Sequence, residues 1–423
     1  FPRRQVDEIR PRSPGRPITH NDMGFFTDLD AHALGRHLDA ITWDSYPLGM
    51  LEESPLPPEV KARYARTGHP DLVAFNHDVY RGALAPEADA PYRPFWVMEQ
   101  QPGQVNWAPT NPLPAPGAVR LWTHQAIAHG AEVVSYFRWR AAQGAQEHMH
   151  AGLLRHDRTP DRALLEAEAA GRDLAAQPEP PARRRGHVAL LLSYEDLWAA
   201  QIQPHAEGWR EWLVWVEVYG ALRALALDVD IVPADRDLTP YALVVAPSAT
   251  IADDALAASL RRALDAGARV VLGPRSGAYR RDMVVHAPAP GPLTELSGVR
   301  VGRVDTMRPG TTGALSTREP MLGVLEPAGY HTWADLLEPE AGTEVWATYA
   351  EHAYAGEAAI TMKAQGAGMV VTSGAWLDGP TWARLLGTLA LLARRTFDLD
   401  YRDYTKPADF FNLGIGRGYS VFE

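Results

Sequence analysis

Four short apolar runs, each closing on polar or aromatic residues, constrain the first 177 residues more than any other feature. They are Pro17–Asp22, Leu38–Pro47, Pro94–Gln100 and Glu132–Trp139, and a stretch with helical spacing, Gly117–His129, stands between the last two. Short apolar strands alternating with helices predict a parallel sheet that carries its function at the strands' carboxyl ends. Those ends are rich in Asp, Glu, Asn, Trp and Tyr. The pattern suits a (β/α) barrel, of which it supplies four strands where a closed barrel needs eight.

A break follows. Ala163–Ala176 is rich in Ala and Glu and predicts a helix, which the Pro- and Arg-rich run Gln177–Gly186 ends. Beyond it, His187–Leu192, Val229–Val232, Ala242–Ala246, Ala268–Leu272 and Gly368–Thr372 predict buried strands. Helices are expected over Trp209–Ala226, Ala252–Ala266 and Thr381–Leu392. This is the pattern of a doubly wound sheet of flavodoxin-like type. Trp209, Trp212 and Trp215 share one stripe of the first helix, as at an interface or in a domain's own core. The chain thus divides into a partial barrel (residues 1–177), an α/β domain (178–394) and an unassigned tail (395–423) whose aromatic residues show no period.

Composition narrows the function. At 423 residues the chain exceeds what one core serves. Its 52 acidic against 41 basic residues, a net charge of −11, argue against a nucleic-acid partner. There is no cysteine, so disulfides, thiolate zinc sites and a cysteine nucleophile are excluded. No apolar run approaches the roughly 18 residues of a membrane helix, so no membrane partner is expected. The chain opens Phe1-Pro2-Arg3-Arg4, without an initiator Met or a signal-peptide core. The expectation is a cytoplasmic protein whose start was removed, or part of a longer one. In the second region no Gly-x-Gly-x-x-Gly follows a strand and no Gly-x-Ser-x-Gly is present. Leu272–Gly277 reads as a plain loop sooner than as a phosphate turn, and no cofactor is expected.

Glu99 is the sharpest catalytic candidate. It follows Phe95-Trp96-Val97-Met98 at the carboxyl end of a buried strand, where a carboxylate suits attack on a sugar's anomeric carbon. A Glu that merely caps the strand end is the alternative. Indoles stack on the apolar faces of sugar rings, and five of the thirteen tryptophans (Trp43, Trp96, Trp107, Trp122, Trp139) fall in the first region. Tyr46 and Trp107 adjoin polar strand ends and are the better site candidates; Trp122, and with it Trp96, suits core packing. Glu147-His148-Met149-His150 has the spacing of a metal pair, but with no third ligand in view the expectation is no metal. Hydrogen bonding to substrate hydroxyls, or a solvated loop, is favoured.

The ordered runs Phe95–Pro112 (Phe-Trp-Val-Met-Glu-Gln-Gln-Pro-Gly-Gln-Val-Asn-Trp and onward), Pro116–Trp122, Ala128–Ala131 and Tyr136-Phe-Arg-Trp-Arg140 resemble the β-galactosidases of glycoside hydrolase family 42, as do Asn21–Phe26 and Trp43–Pro47. The resemblance implies strands 5 to 8 of a (β/α)8 TIM barrel, followed by a domain similar to glutamine amidotransferases that lacks their nucleophile and mediates trimer formation. It implies a retaining β-galactosidase acting on β-galactosides as a homotrimer. Glu99 would be the nucleophile and Tyr46 would lie beside it. Trp107 would shape the sugar pocket with Phe137 packed alongside, and Glu147 and His150 would bind galactose hydroxyls. The family's acid/base, a Glu after an Asn on the fourth barrel strand, falls before everything in this sequence, as does its cysteine-ligated zinc. The family's small C-terminal β domain does not match Arg395–Glu423. This chain alone is therefore expected not to hydrolyse unactivated galactosides. Its rival reading is a non-catalytic oligomerisation or sugar-binding remnant.

Overall fold

In the computed structural model, which describes residues 2–83, 93, 95–177, 185–318 and 328–397, the four apolar runs become four parallel strands. These are β1 (Asn21–Met23), β2 (Ile41–Ser45), β3 (Phe95–Gln100) and β4 (Ala131–Tyr136), paired in chain order. Helices Pro70–Ala83 and Ala118–Ala128 occupy the β2–β3 and β3–β4 connections. Sequential parallel neighbours joined by helices are part of a (β/α) barrel. Ile41, Trp43, Phe95 and Val97 are fully buried, and each such side chain contributes about 1.5–3 kcal/mol through burial.

Polar contacts lock the strand ends to these helices. From helix Pro70–Ala83, Asn76 Oδ1 accepts the Phe25 N–H at 2.9 Å and the Tyr80 hydroxyl donates to the Met23 carbonyl at 2.7 Å, fixing the turn after β1. The same helix buries Asp78, which pairs with Arg81 and accepts from His129 Nδ1 at 2.6 Å. Helix Ala118–Ala128 begins at Gly117, in the left-handed region at φ 88°. The carboxylate of Glu166, on helix Arg162–Ala176, accepts from the N–H groups of Gly117 (2.9 Å) and Val119 (3.0 Å). It satisfies donors that a helix start leaves unpaired.

The chain divides into two compact units, Phe1–Arg184 and Arg185–Glu423. The second is built on a mixed sheet of eleven strands. Its parallel part comprises β5 (Val188–Leu191), β6 (Val229–Val232), β7 (Leu243–Ala246), β8 (Arg269–Leu272) and β14 (Gly368–Ser373), in the spatial order β6-β5-β7-β8-β14. That is the flavodoxin-like order 2-1-3-4-5. An antiparallel extension absent from the sequence reading continues the sheet. It consists of β9 (Val299–Thr306), β10 (Thr312–Thr317), β11 (Ala328–Pro339), β12 (Glu344–Tyr349), β13 (Ala358–Gln365) and β15 (Ala375–Leu377). Several of these strands are half solvated: β9 buries only Val299, so no apolar run marks them. The final helix, Gly379–Phe397, runs into the tail, and residues 398–423 lie outside the described residues.

The tryptophan stripe is corrected. The helix is Glu211–Ala224, so Trp209 lies before it. Trp209 packs edge-on against Trp333 and Trp376, both at 5.1 Å, and Trp215 is buried as well. Arg275, at the crest of the Leu272–Gly277 loop with φ 63°, lies between Trp209 and Trp333, 4.8 and 4.7 Å from the ring centres. Its guanidinium donates to the carbonyls of Pro204 (3.0 Å) and Gln203 (2.8 Å), and its N–H to Asp335 (2.8 Å).

Three acids here are held against their nature. Burial pushes Glu211 up to about 7, against the pull of Arg275, and Asp335 up to about 6. Burial, then Glu211, raises Asp196. Each folded value lies above the unfolded one. The associated stability is therefore complete below the ordinary carboxylate range, about 4, and is lost as pH rises through 6 and 7. Thermal unfolding of this unit is expected to have a higher midpoint at about pH 5 than at about pH 8, with Glu211→Gln narrowing the difference. An unchanged difference in that variant would remove Glu211 from the effect.

Candidate active site

Parallel register brings the candidate residues together. Asp44 on β2 pairs with Glu99 on β3, and Met23 on β1 with Asp44. Tyr46 follows β2 directly and starts helix Pro47–Glu53, with Pro47 at the first helical position. Its hydroxyl donates to Glu99 Oε2 at 2.5 Å, while Asn21, the first residue of β1, donates to Glu99 Oε1 at 3.3 Å. Burial, then this bond to Glu99, raises the Tyr46 pKa, so the phenol stays protonated and a donor.

Aromatic rings wall the group. Trp107 meets Tyr46 edge-on at 5.6 Å, His150 meets Tyr46 at 5.7 Å, and Phe137 meets His150 at 5.3 Å. Trp107 is 46% exposed, leaving an indole face open beside buried Tyr46. Gly49 makes room for it: a Cβ there would lie 2.3 Å from the indole. By contrast Trp43 and Trp122 are fully buried, and Trp96 donates to Glu132 at 2.9 Å.

The loop after β4 carries the remaining candidates. Arg138 holds Glu147 by two contacts, to Oε2 at 2.9 Å and to the backbone carbonyl at 2.7 Å, with its guanidinium 5.4 Å from the Phe137 ring. Asn106 Nδ2 donates to the Gln146 carbonyl at 2.9 Å and ties this loop to the one carrying Trp107. His150 is buried, which lowers its pKa and keeps the imidazole neutral, and Nδ1 donates to the Ala151 carbonyl at 3.1 Å. His148 is exposed and turned toward its own loop, donating to the Ala145 carbonyl at 2.7 Å. Among the described residues no three His, Asp or Glu side chains converge as a metal would need.

Sequence reasoning gave Asn21 and Arg138 no role in this geometry. Asn21 and Asp44 stand inside segments quoted for the resemblance, so position at a strand end was the available signal. Arg138 stands inside another of those segments, Tyr136–Arg140, but its partner depends on how the loop folds back. Burial, then Glu99, pushes Asp44 up to about 7, and burial lifts Asp22 to about 6 against the pull of His20, 3.5 Å away. Near neutrality Asp44 therefore carries a proton for part of the time, beside a carboxylate whose two oxygens each have a neutral donor.

Known proteins agree with the architecture. Residues 1–177 match the family profile described as "Beta-galactosidase", of glycoside hydrolase family 42, and residues 186–394 the one described as "Beta-galactosidase trimerisation domain". A curated β-galactosidase of Thermus thermophilus is 48% identical over 341 residues, 80% of this chain and 51% of that protein. The structure of the β-galactosidase from the haloarchaeon Halorubrum lacusprofundi superposes with a TM-score of 0.85 at 36% identity, covering 93% of this chain and 56% of that one. That of the enzyme from Marinomonas ef1 gives 0.80 at 37%, covering 93% and 58%. The chain thus spans about half the length of the relatives it matches. With one profile on each of its two units, and relatives of one name aligned across most of its length, the chain belongs to glycoside hydrolase family 42, the β-galactosidase family.

Proposed function

We propose that this chain carries the nucleophile side of a retaining β-galactosidase site, with Glu99 attacking the anomeric carbon of a terminal β-galactosyl residue. One observation carries the reading: the Glu99 carboxylate, at the carboxyl end of a barrel strand, is oriented by Tyr46 and Asn21 beside an open indole. In a retaining hydrolase one carboxylate forms a glycosyl-enzyme while a second group protonates the leaving oxygen. Trp107 and Phe137 shape the pocket, and Glu147 and His150 take sugar hydroxyls. β1 to β4 correspond to strands 5 to 8 of the barrel, and the acid/base belongs to residues outside this sequence. We extend the proposal to a homotrimer, assembled through the second unit and acting in the cytoplasm; sedimentation at micromolar concentration reads the assembly.

The test avoids the acid. A 2-fluorogalactoside with a dinitrophenyl leaving group needs little protonation, so it is expected to leave a fluorogalactosyl mass on the peptide containing Glu99. An adduct on Asp44 or Glu147 instead would reassign the nucleophile. His150→Ala, at a buried position, is expected to weaken turnover of aryl galactosides by about 1–3 kcal/mol, and Glu147→Ala, at an exposed one, by less. Chelator is expected to change nothing.

That the chain spans half its relatives keeps the rival reading, a sugar-binding or oligomerisation remnant, in play. Galactoside binding without either turnover or labelling would favour it.

A further inference from the structure

Arg138 has no part in the proposed function, yet it touches Glu147 and Phe137 directly and His150 through one shared carbonyl. Its guanidinium donates to Glu147 Oε2 at 2.9 Å and to the Glu147 carbonyl at 2.7 Å, and lies 5.4 Å from the centre of the Phe137 ring. The same carbonyl accepts the His150 N–H at 2.9 Å, closing the turn that carries both residues.

The Arg138 side chain is the more buried partner, 22% exposed against 51% for Glu147. A pair so open to water adds little to stability. Its worth is geometric. Arg138 stands just after β4 against a neighbouring ring, whereas Glu147 is on a loop and would otherwise sample many rotamers. Among the described residues no other side chain bonds to the Glu147 carboxylate, so Oε1 is left to accept from a ligand. The loop itself is anchored elsewhere. The Ala151 N–H donates to the Gln104 carbonyl at 3.0 Å, the Leu153 N–H to the Arg138 carbonyl at 2.7 Å, and Asn106 to the Gln146 carbonyl at 2.9 Å. None of these needs the Arg138 side chain, so its removal frees the Glu147 carboxylate without unfastening the loop.

We infer that Arg138 is a positioning residue for the sugar: it holds the Glu147 carboxylate with Oε2 engaged and Oε1 presented to one hydroxyl, so that binding does not have to order that side chain. An Arg suits the task because its planar fork reaches two acceptors at fixed angles, which a Lys does not. The inference rests on the reading of Glu147 as a hydroxyl ligand.

Ligand-observed NMR titration of the 423-residue chain with D-galactose, and with congeners each lacking one hydroxyl, tests it without calling on the acid. Arg138→Gln is expected to weaken galactose binding about threefold, no more than Glu147→Ala does, and to add less than about 1.5-fold in the Glu147→Ala background. On the congener that lacks the hydroxyl taken by Glu147, Arg138→Gln is expected to change nothing, while on the others the full loss persists. Arg138→Lys, which keeps the charge beside the Phe137 ring, is expected to show the same pattern at smaller amplitude. Losses equal on every congener, or multiplying with Glu147→Ala, would overturn the inference and mean that Arg138 only holds the loop in shape. The expected pattern without a fluorogalactosyl label on Glu99 would support the inference and remove the proposed nucleophile. A wild type that binds no galactose would overturn the inference together with the reading of Glu147 on which it rests.

Discussion

Glu99→Ala is expected to cut hydrolysis of aryl β-galactosides by on the order of 10⁴-fold or more, in any preparation that shows such turnover, as removal of a nucleophile does in other hydrolases. Without the carboxylate no glycosyl-enzyme forms, and water is poorly placed to replace it. The deletion leaves a space beside Tyr46 and Asn21, whose donors face the missing oxygens at 2.5 and 3.3 Å. Azide fits such a space and attacks the same face of the sugar, so added azide is expected to restore turnover and yield the α-galactosyl azide. Tyr46→Phe is the graded control. It keeps the carboxylate and removes one charge-assisted bond, a loss of about 1.5–3 kcal/mol. Near-native hydrolysis by Glu99→Ala would end its candidacy as nucleophile.

Asp78→Ala is expected to destabilise the first unit by about 3–5 kcal/mol, because it removes a buried carboxylate from the buried Arg81 guanidinium and from His129. Asp78 and Arg81 are each 2% exposed, and His129 is 7% exposed. Arg81 donates to the His129 carbonyl at 3.1 Å, so the residual cation would also strain the end of helix Ala118–Ala128, which leads into β4. His77 is stacked on His129 at 5.5 Å and fully buried, and an imidazole cannot supply the negative charge that Asp78 does. Urea unfolding of the wild type, Asp78→Ala and the double variant Asp78→Ala/Arg81→Met measures the effect. The double variant is expected to recover part of the loss, since it removes the buried guanidinium together with the carboxylate. A loss under about 1 kcal/mol in the single variant would show that Asp78 is not what holds the Arg81 guanidinium in place.

The sequence by itself determined the elements and the chemistry placed at their ends. Apolar runs such as Phe95–Met98 and Val229–Val232 announce buried strands because a strand covered on both faces has no polar side to present. Glu99, Tyr46 and Trp107 were legible as site candidates because each lies at or just past such a run, where a parallel sheet exposes its functional edge. What only the tertiary structure decided is who meets whom. Tyr46 and Glu99 are far apart in the chain, and their 2.5 Å contact depends on the register of β2 against β3, which non-local packing sets. Arg138 finds Glu147 only because the loop after β4 turns back on itself. Trp209 left its expected helix because Trp333 and Trp376, from distant strands, offer it a buried place. Antiparallel strands such as β9 escaped notice for the complementary reason. A strand half open to water needs no apolar run, and its partners are supplied by hydrogen bonds from a distant part of the chain that no local pattern encodes.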